Sequence, residues 1–123
     1  MNWDTNNLCK RIFEYLRMGD IVTLRTLFEC GFLRGNDVIR ELPLLYFVGR
    51  FNCSNYKEII DLLVKNNADI NSQYTWSYPV NEAIHYKNYD VAAYIYSKGG
   101  KYIEEEVESN NLIEFKKELD KLN

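Results

Sequence analysis

The sequence predicts an all-α fold in which helix-turn-helix pairs stack side by side as a solenoid, joined by short hairpin-like connecting loops. Three observations carry this prediction. Glu58 to Asn71 holds apolar residues at Ile59, Ile60, Leu62, Leu63 and Val64, a helical stripe wide enough to be covered on two sides. The helix-ending positions Gly31, Asn67 and Gly99 recur at spacings of 36 and 32. The chain's 2 prolines, Pro43 and Pro79, lie 36 apart. Self-similarity at such a period marks units that cannot bury their apolar faces alone.

The first unit, residues 6–41, follows Asp4-Thr5-Asn6, whose side chains suit a helix N-cap. Leu8, Ile12, Phe13 and Leu16 make one helical face. Gly19 turns the chain, and Ile21, Leu24, Leu27 and Phe28 make the second helix, closed by Gly31. Arg34-Gly35-Asn36-Asp37 has the turn chemistry of a laterally projecting hairpin. The second unit, 42–77, opens at Leu42-Pro43-Leu44-Leu45, with Pro43 at the first helical position, where its missing N–H costs nothing. Gly49 to Ser54 reads as an inserted loop of about four extra residues, and Glu58 to Asn71 completes the unit. The third unit, 78–102, opens at Tyr78-Pro79-Val80-Asn81, keeps the small Ala83, and ends at Gly99-Gly100. Residues 103–123 read as a polar cap with a Val107, Leu112, Ile113, Phe115, Leu119 stripe.

With 123 residues and 46% hydrophobic content, one domain (residues 1–123) with a packed core is expected. No apolar run nears the roughly 20 residues of a membrane span, and no secretory signal is read at the N-terminus. The formal charge of −3 resides after Gly100, around Glu104, Glu105, Glu106 and Glu108. Residues 1–100 are near neutral, which argues against a nucleic-acid surface. Cys9, Cys30 and Cys53 cannot all pair within one molecule, so reduced thiols in a cytoplasmic setting are the simplest reading. Heavy use of Asn, Lys, Ile and Tyr points to an A/T-rich genome.

The helix pairs, their spacing against a family period of about 33, and Leu42-Pro43-Leu44-Leu45 or Tyr78-Pro79-Val80-Asn81 at the unit starts together resemble an ankyrin-repeat protein. The missing Thr and His at the unit starts mark a divergent member, and Phe47 stands where the family has a small residue. The resemblance implies a scaffold that binds a partner protein of unknown identity on its concave side, with no cofactor and no catalysis. Carried over by position, hairpin tips would present Arg34, Asn36, Asp37 and Arg40, then Tyr74, Thr75, Trp76 and Ser77. First-helix faces would present Tyr46 and Arg50, then Glu82, His85 and Tyr86. These are rich in Trp, Tyr and Arg, the residue types that dominate interface energies. For a virus or intracellular pathogen, the resemblance implies a host signalling or ubiquitin-pathway target in the host cytoplasm. Asn71 resembles an asparagine that hydroxylases modify in the family, beside a structural role in the hairpin turn.

Two alternatives stand beside this one. The chain could assemble with itself or into a larger complex by its ends, through Trp3 and the first helix or the 112–119 stripe. A hydrolase would centre on His85, the only histidine, with Glu82 three residues before it as a candidate orienting carboxylate. One His and scattered cysteines supply no usual zinc set, and Gly99-Gly100 reads as a helix stop rather than a phosphate loop.

Overall fold

The computed structural model describes the backbone of residues 2–74 and 76–122, with side chains from residue 7 onward. Among these residues stand seven α-helices: α1 (Asn2–Met18), α2 (Ile21–Glu29), α3 (Leu44–Arg50), α4 (Tyr56–Lys65), α5 (Pro79–His85), α6 (Tyr89–Ser97) and α7 (Ser109–Asp120). Strands β1 (Val38–Ile39) and β2 (Leu42–Pro43) pair antiparallel. The chain is mostly helical, with this one small sheet. Helices α1 and α2, α3 and α4, and α5 and α6 pack as pairs. In one row α3 lies between α1 and α5; in the other α4 lies between α2 and α6, and α7 covers α6 and α5.

The second helix of each pair ends in the same way. Gly31, Asn67 and Gly99 have φ of 78°, 71° and 102°. At these ends Phe32 N–H donates to Leu27 O, Ala68 N–H to Leu63 O, and Gly100 N–H to Ile95 O, which satisfies carbonyls the helix would leave orphaned. The first and third pairs also turn alike between helices, at Gly19 (φ 70°) and Lys87 (φ 63°). The second pair departs from them, because α3 leaves through extended Phe51 (φ −94°, ψ 132°).

Several expectations are corrected here. Gly49 is not in the inserted loop but buried within α3, where an added Cβ would stand 3.2 Å from the Ala83 Cβ. Gly49 therefore supplies the close approach of α3 to α5. The insertion is residues 51–55, and Phe51 packs edge-on to Phe13 at 5.2 Å and stacked on Phe47 at 6.1 Å. Pro79 opens α5, but Pro43 stands one step ahead of α3 in extended conformation (φ −58°, ψ 147°). Helix α1 already runs from Asn2, so Asp4-Thr5-Asn6 lies within it rather than capping it. Ile113 is 54% exposed and does not join the buried stripe of α7, while Phe115 is wholly buried.

Wholly buried Leu24, Leu44, Ile60, Leu63, Val80, Val91, Ile95 and Phe115 form a core continuous through all the pairs. Each such side chain stabilises by about 1.5–3 kcal/mol relative to exposure. Asparagines tie the pairs together. Asn36 Nδ2 donates to Asn67 O at 2.9 Å while its Oδ1 accepts Asp69 N–H at 2.6 Å. Asn71 repeats this one pair later, with Gly99 O at 3.2 Å and Lys101 N at 2.7 Å. Asn81, buried, does the same to both backbone groups of Ile103 at 2.9 Å. Asn81 thus ties α5 to the segment that follows α6. Asn55 and Asn88 reach back to Gly19 O and Gly49 O, each at 2.8 Å.

Cys9, Cys30 and Cys53 carry free thiols, and Cys53 Sγ donates to Leu16 O and Arg17 O. Burial pushes the Cys53 thiol above its ordinary pKa, which keeps it protonated. Among the described residues no helix is long and apolar enough to cross a membrane.

Candidate functional site

Two turns recur 35 residues apart, one holding Glu41 beside Arg40 and one holding Trp76. At the first, β1 and β2 are joined by two residues that both have positive φ, Arg40 (49°) and Glu41 (68°). That is the geometry whose twist matches the strands, and it normally takes Asn-Gly. Two non-glycine residues there cost roughly 1–2 kcal/mol each. Of the expected tip residues Arg34, Asn36, Asp37 and Arg40, Arg40 stands at the tip; Arg34 to Asp37 form instead a turn at the hairpin's base, where the Asp37 carboxylate accepts Arg34 N–H at 2.9 Å and Asp37 N–H donates to Arg34 O at 3.0 Å. Asn36 is spent on the Asn67 and Asp69 backbone. Arg34 and Arg40 remain exposed, Arg40 with its guanidinium 4.0 Å over the Phe13 ring. Glu41, overlooked in the sequence, is legible there only as half of a two-residue link between apolar pairs.

At the second turn Ser77 N–H donates to Tyr74 O at 3.0 Å, beside Trp76; Thr75, expected at this tip, lies outside the described residues. Trp76 has φ 67° and is 84% exposed. A bulky residue in that conformation is an outlier that persists only when its surroundings hold it.

Tyr46 does the holding. It was expected on the binding surface, yet it is 1% exposed. Its phenol oxygen accepts Tyr74 N–H at 3.0 Å and lies 2.7 Å from Ser72 O and 2.8 Å from Ser77 O, which share its one proton. The Tyr46 and Tyr74 rings meet edge-on at 6.2 Å. Burial, ahead of the other causes, pushes the Tyr46 hydroxyl up to about 12. Its role is therefore to fix the hairpin that presents Trp76, and the reason is length: a phenol on α3 reaches the loop, where a shorter side chain would stop short.

On the helix faces, Arg50 from α3 forms an ion pair with Glu82 of α5, and both are half-buried. The Arg50 guanidinium also lies 5.2 Å from the ring centre of Tyr86, against which His85 packs edge-on at 5.2 Å. The structure thus gathers Arg50, Glu82, His85 and Tyr86 into one patch. Glu82 faces Arg50, so it does not orient His85, which is exposed. Among the described residues no three His, Cys, Asp or Glu side chains converge as metal ligands. No protein-family model matches the chain, and neither a curated protein nor a solved structure matches it.

Proposed function

We propose that the chain is a divergent ankyrin-type solenoid, a single domain that binds a partner protein and acts by occupancy rather than catalysis. Its contact surface comprises the tips at Arg40, Glu41, Tyr74 and Trp76 and the patch of Arg50, Glu82, His85 and Tyr86. The observation that carries this reading is Trp76, a large apolar ring left in water on a strained turn that a buried phenol holds in place. Interface energy concentrates in such aromatic and arginine side chains, with few rotors left to freeze on binding. The recurring helix ends and asparagine stitches support the solenoid assignment. Cytoplasmic action on a host signalling or ubiquitin-pathway protein is part of the proposal, on the strength of the free thiols and the A/T-rich residue usage.

The test is affinity capture from eukaryotic cell lysate, run beside Trp76→Ala and Tyr86→Ala variants. A specific protein retained by the native chain and lost with both substitutions supports the proposal. Retention that ignores both removes this surface from consideration.

A further inference from the structure

We infer that the partner protein is held through an acidic side chain, an Asp or Glu whose carboxylate docks on the Arg40 guanidinium. This rests on the proposed function and adds to it the chemistry of what is bound. Arg40 stands on the two-residue turn between β1 and β2, where it and Glu41 both have positive φ. Neither is a glycine, so the turn is strained, and strain of this kind gathers at binding sites. The Arg40 guanidinium carbon lies 4.0 Å from the centre of the Phe13 ring. Phe13 is itself fixed edge-on by Phe47 at 5.6 Å and by Phe51 at 5.2 Å. The guanidinium therefore rests on a rigid base.

Contact with a ring face holds the charge but consumes none of its N–H donors. Nothing else takes them, since the Arg40 side chain makes no hydrogen bond and no ion pair among the described residues. Arg50, the other arginine lying over rings, differs because Glu82 pairs with it. Glu14 lies close enough to Arg40 to feel its charge, yet its carboxylate is taken by Arg17. The Arg17 hydrogen bond does most to hold the Glu14 carboxyl below its ordinary range, and the charges of Arg17, Arg40 and Lys10 act the same way.

Lys10, Arg17 and Arg40 thus outnumber Glu14 and Glu41 beside the Phe13 ring. Asp4, the acidic residue among those whose side chains are not described, lies nine positions, about 13 Å, up α1 from Phe13. The positive excess is small, and that selects the ligand. A phosphate carries about two negative charges and would meet Glu14 and Glu41 on approach. A single carboxylate matches one guanidinium, whose parallel N–H groups suit both its oxygens. Because Arg40 is already held in place, little freedom is lost when the carboxylate arrives.

Panning a phage library of random peptides on the native chain tests this. The native chain should enrich sequences containing Asp or Glu. Arg40→Asn and Arg40→Asp place residues that accept positive φ in the turn, so both variants should fold, and circular dichroism checks that they do. Arg40→Asn should lose the acidic preference, and Arg40→Asp should reverse it toward Lys and Arg, a reversal that a merely structural role would not give. For one selected peptide, replacing its acidic residue by the matching amide should weaken binding to the native chain at least tenfold. The same replacement should leave binding to Arg40→Asn nearly unchanged. Acidic enrichment that persists in both variants, or a native chain that enriches peptides without acidic preference, would overturn the inference. Peptides lost with Trp76→Ala but indifferent to Arg40 leave the proposed function standing and remove only this inference. A native chain that enriches no peptide at all removes both.

Discussion

The phenol oxygen of Tyr46 lies 3.0 Å from the backbone nitrogen of Tyr74, and through this contact a buried helix governs an exposed loop. Tyr46 sits in α3 at 1% exposure, whereas Trp76, two residues beyond Tyr74, is 84% exposed. A buried aromatic of the second helix pair thus sets the position of the most exposed aromatic among the described residues. Tyr46→Phe should cost about 1–3 kcal/mol, since Tyr74 N–H loses its 3.0 Å acceptor and keeps the longer contact to Ser77 O at 3.4 Å. Hydrogen exchange should quicken at Tyr74 and Ser77 while helix amides keep their protection. Unchanged exchange at the loop would refute the clamp.

The same hydroxyl gives stability a pH dependence. Its pKa is raised from an ordinary 10 to about 12, so the folded chain holds this proton more tightly than the unfolded one. The stabilisation is complete below pH 10 and is lost as pH rises toward 12. Burial also raises the hydroxyl pKa of Tyr56, Tyr89 and Tyr94, which adds loss of the same sign. The difference in urea midpoint between the native chain and Tyr46→Phe isolates Tyr46, and it should narrow between pH 10 and 12.

Trp76→Gly should separate stability from recognition. Glycine adopts φ 67° freely, so about 1–2 kcal/mol of backbone strain is relieved, offset by about 0.5–1 kcal/mol of added unfolded-state entropy. The variant should melt no lower than the native chain yet lose partner capture. A clear fall in melting temperature would mean that the ring packs onto its own chain.

Asn36 and Asn71 make equivalent pairs of bonds to the following helix end. Alanine at either should cost about 1–2 kcal/mol, and the double variant should cost near the sum because the two side chains bond different backbone groups, with only Asp69 touching both residues. Chemical denaturation of the three variants checks this. Strong non-additivity would show that the stitches act as one network.

Gly35 is pressed against the next helix end, where a Cβ would stand 2.3 Å from the Ala68 nitrogen and 2.4 Å from Asn66 O. Both are backbone atoms and cannot swing aside. Gly35→Ala should therefore cost about 3 kcal/mol or more. The same change at Gly31, where a Cβ meets nothing within 4 Å but φ is 78°, should cost only the left-handed strain of about 1–2 kcal/mol.

Helix ends and buried faces were legible in the sequence because they depend on near neighbours. Asn67 ends α4 as Gly31 and Gly99 end their helices, and the Glu58 to Asn71 stripe buries Ile59, Ile60, Leu62 and Leu63. The candidate surface was legible in part. Trp76 stands out among turn-formers, and Arg50, Glu82, His85 and Tyr86 do meet. Tyr46 and Asn36 misled because residue type does not tell which way a side chain points. Tyr46 turns inward to bonds 26 to 31 residues away, and Asn36 is spent on bonds 31 and 33 residues away.

The sequence alone determined where the second helix of each pair stops and which of its faces is apolar, since these follow from local backbone preference and periodicity. Only the tertiary structure decided which small residue lets α3 approach α5, which Gly49 does against Ala83. It also decided that Tyr46 supports the loop instead of joining the surface, and that of the expected tip residues Arg40 stands at the first tip while Arg34 to Asp37 turn at its base. The physical reason is that these outcomes depend on distances between segments about 30 residues apart, which packing sets and no local pattern encodes.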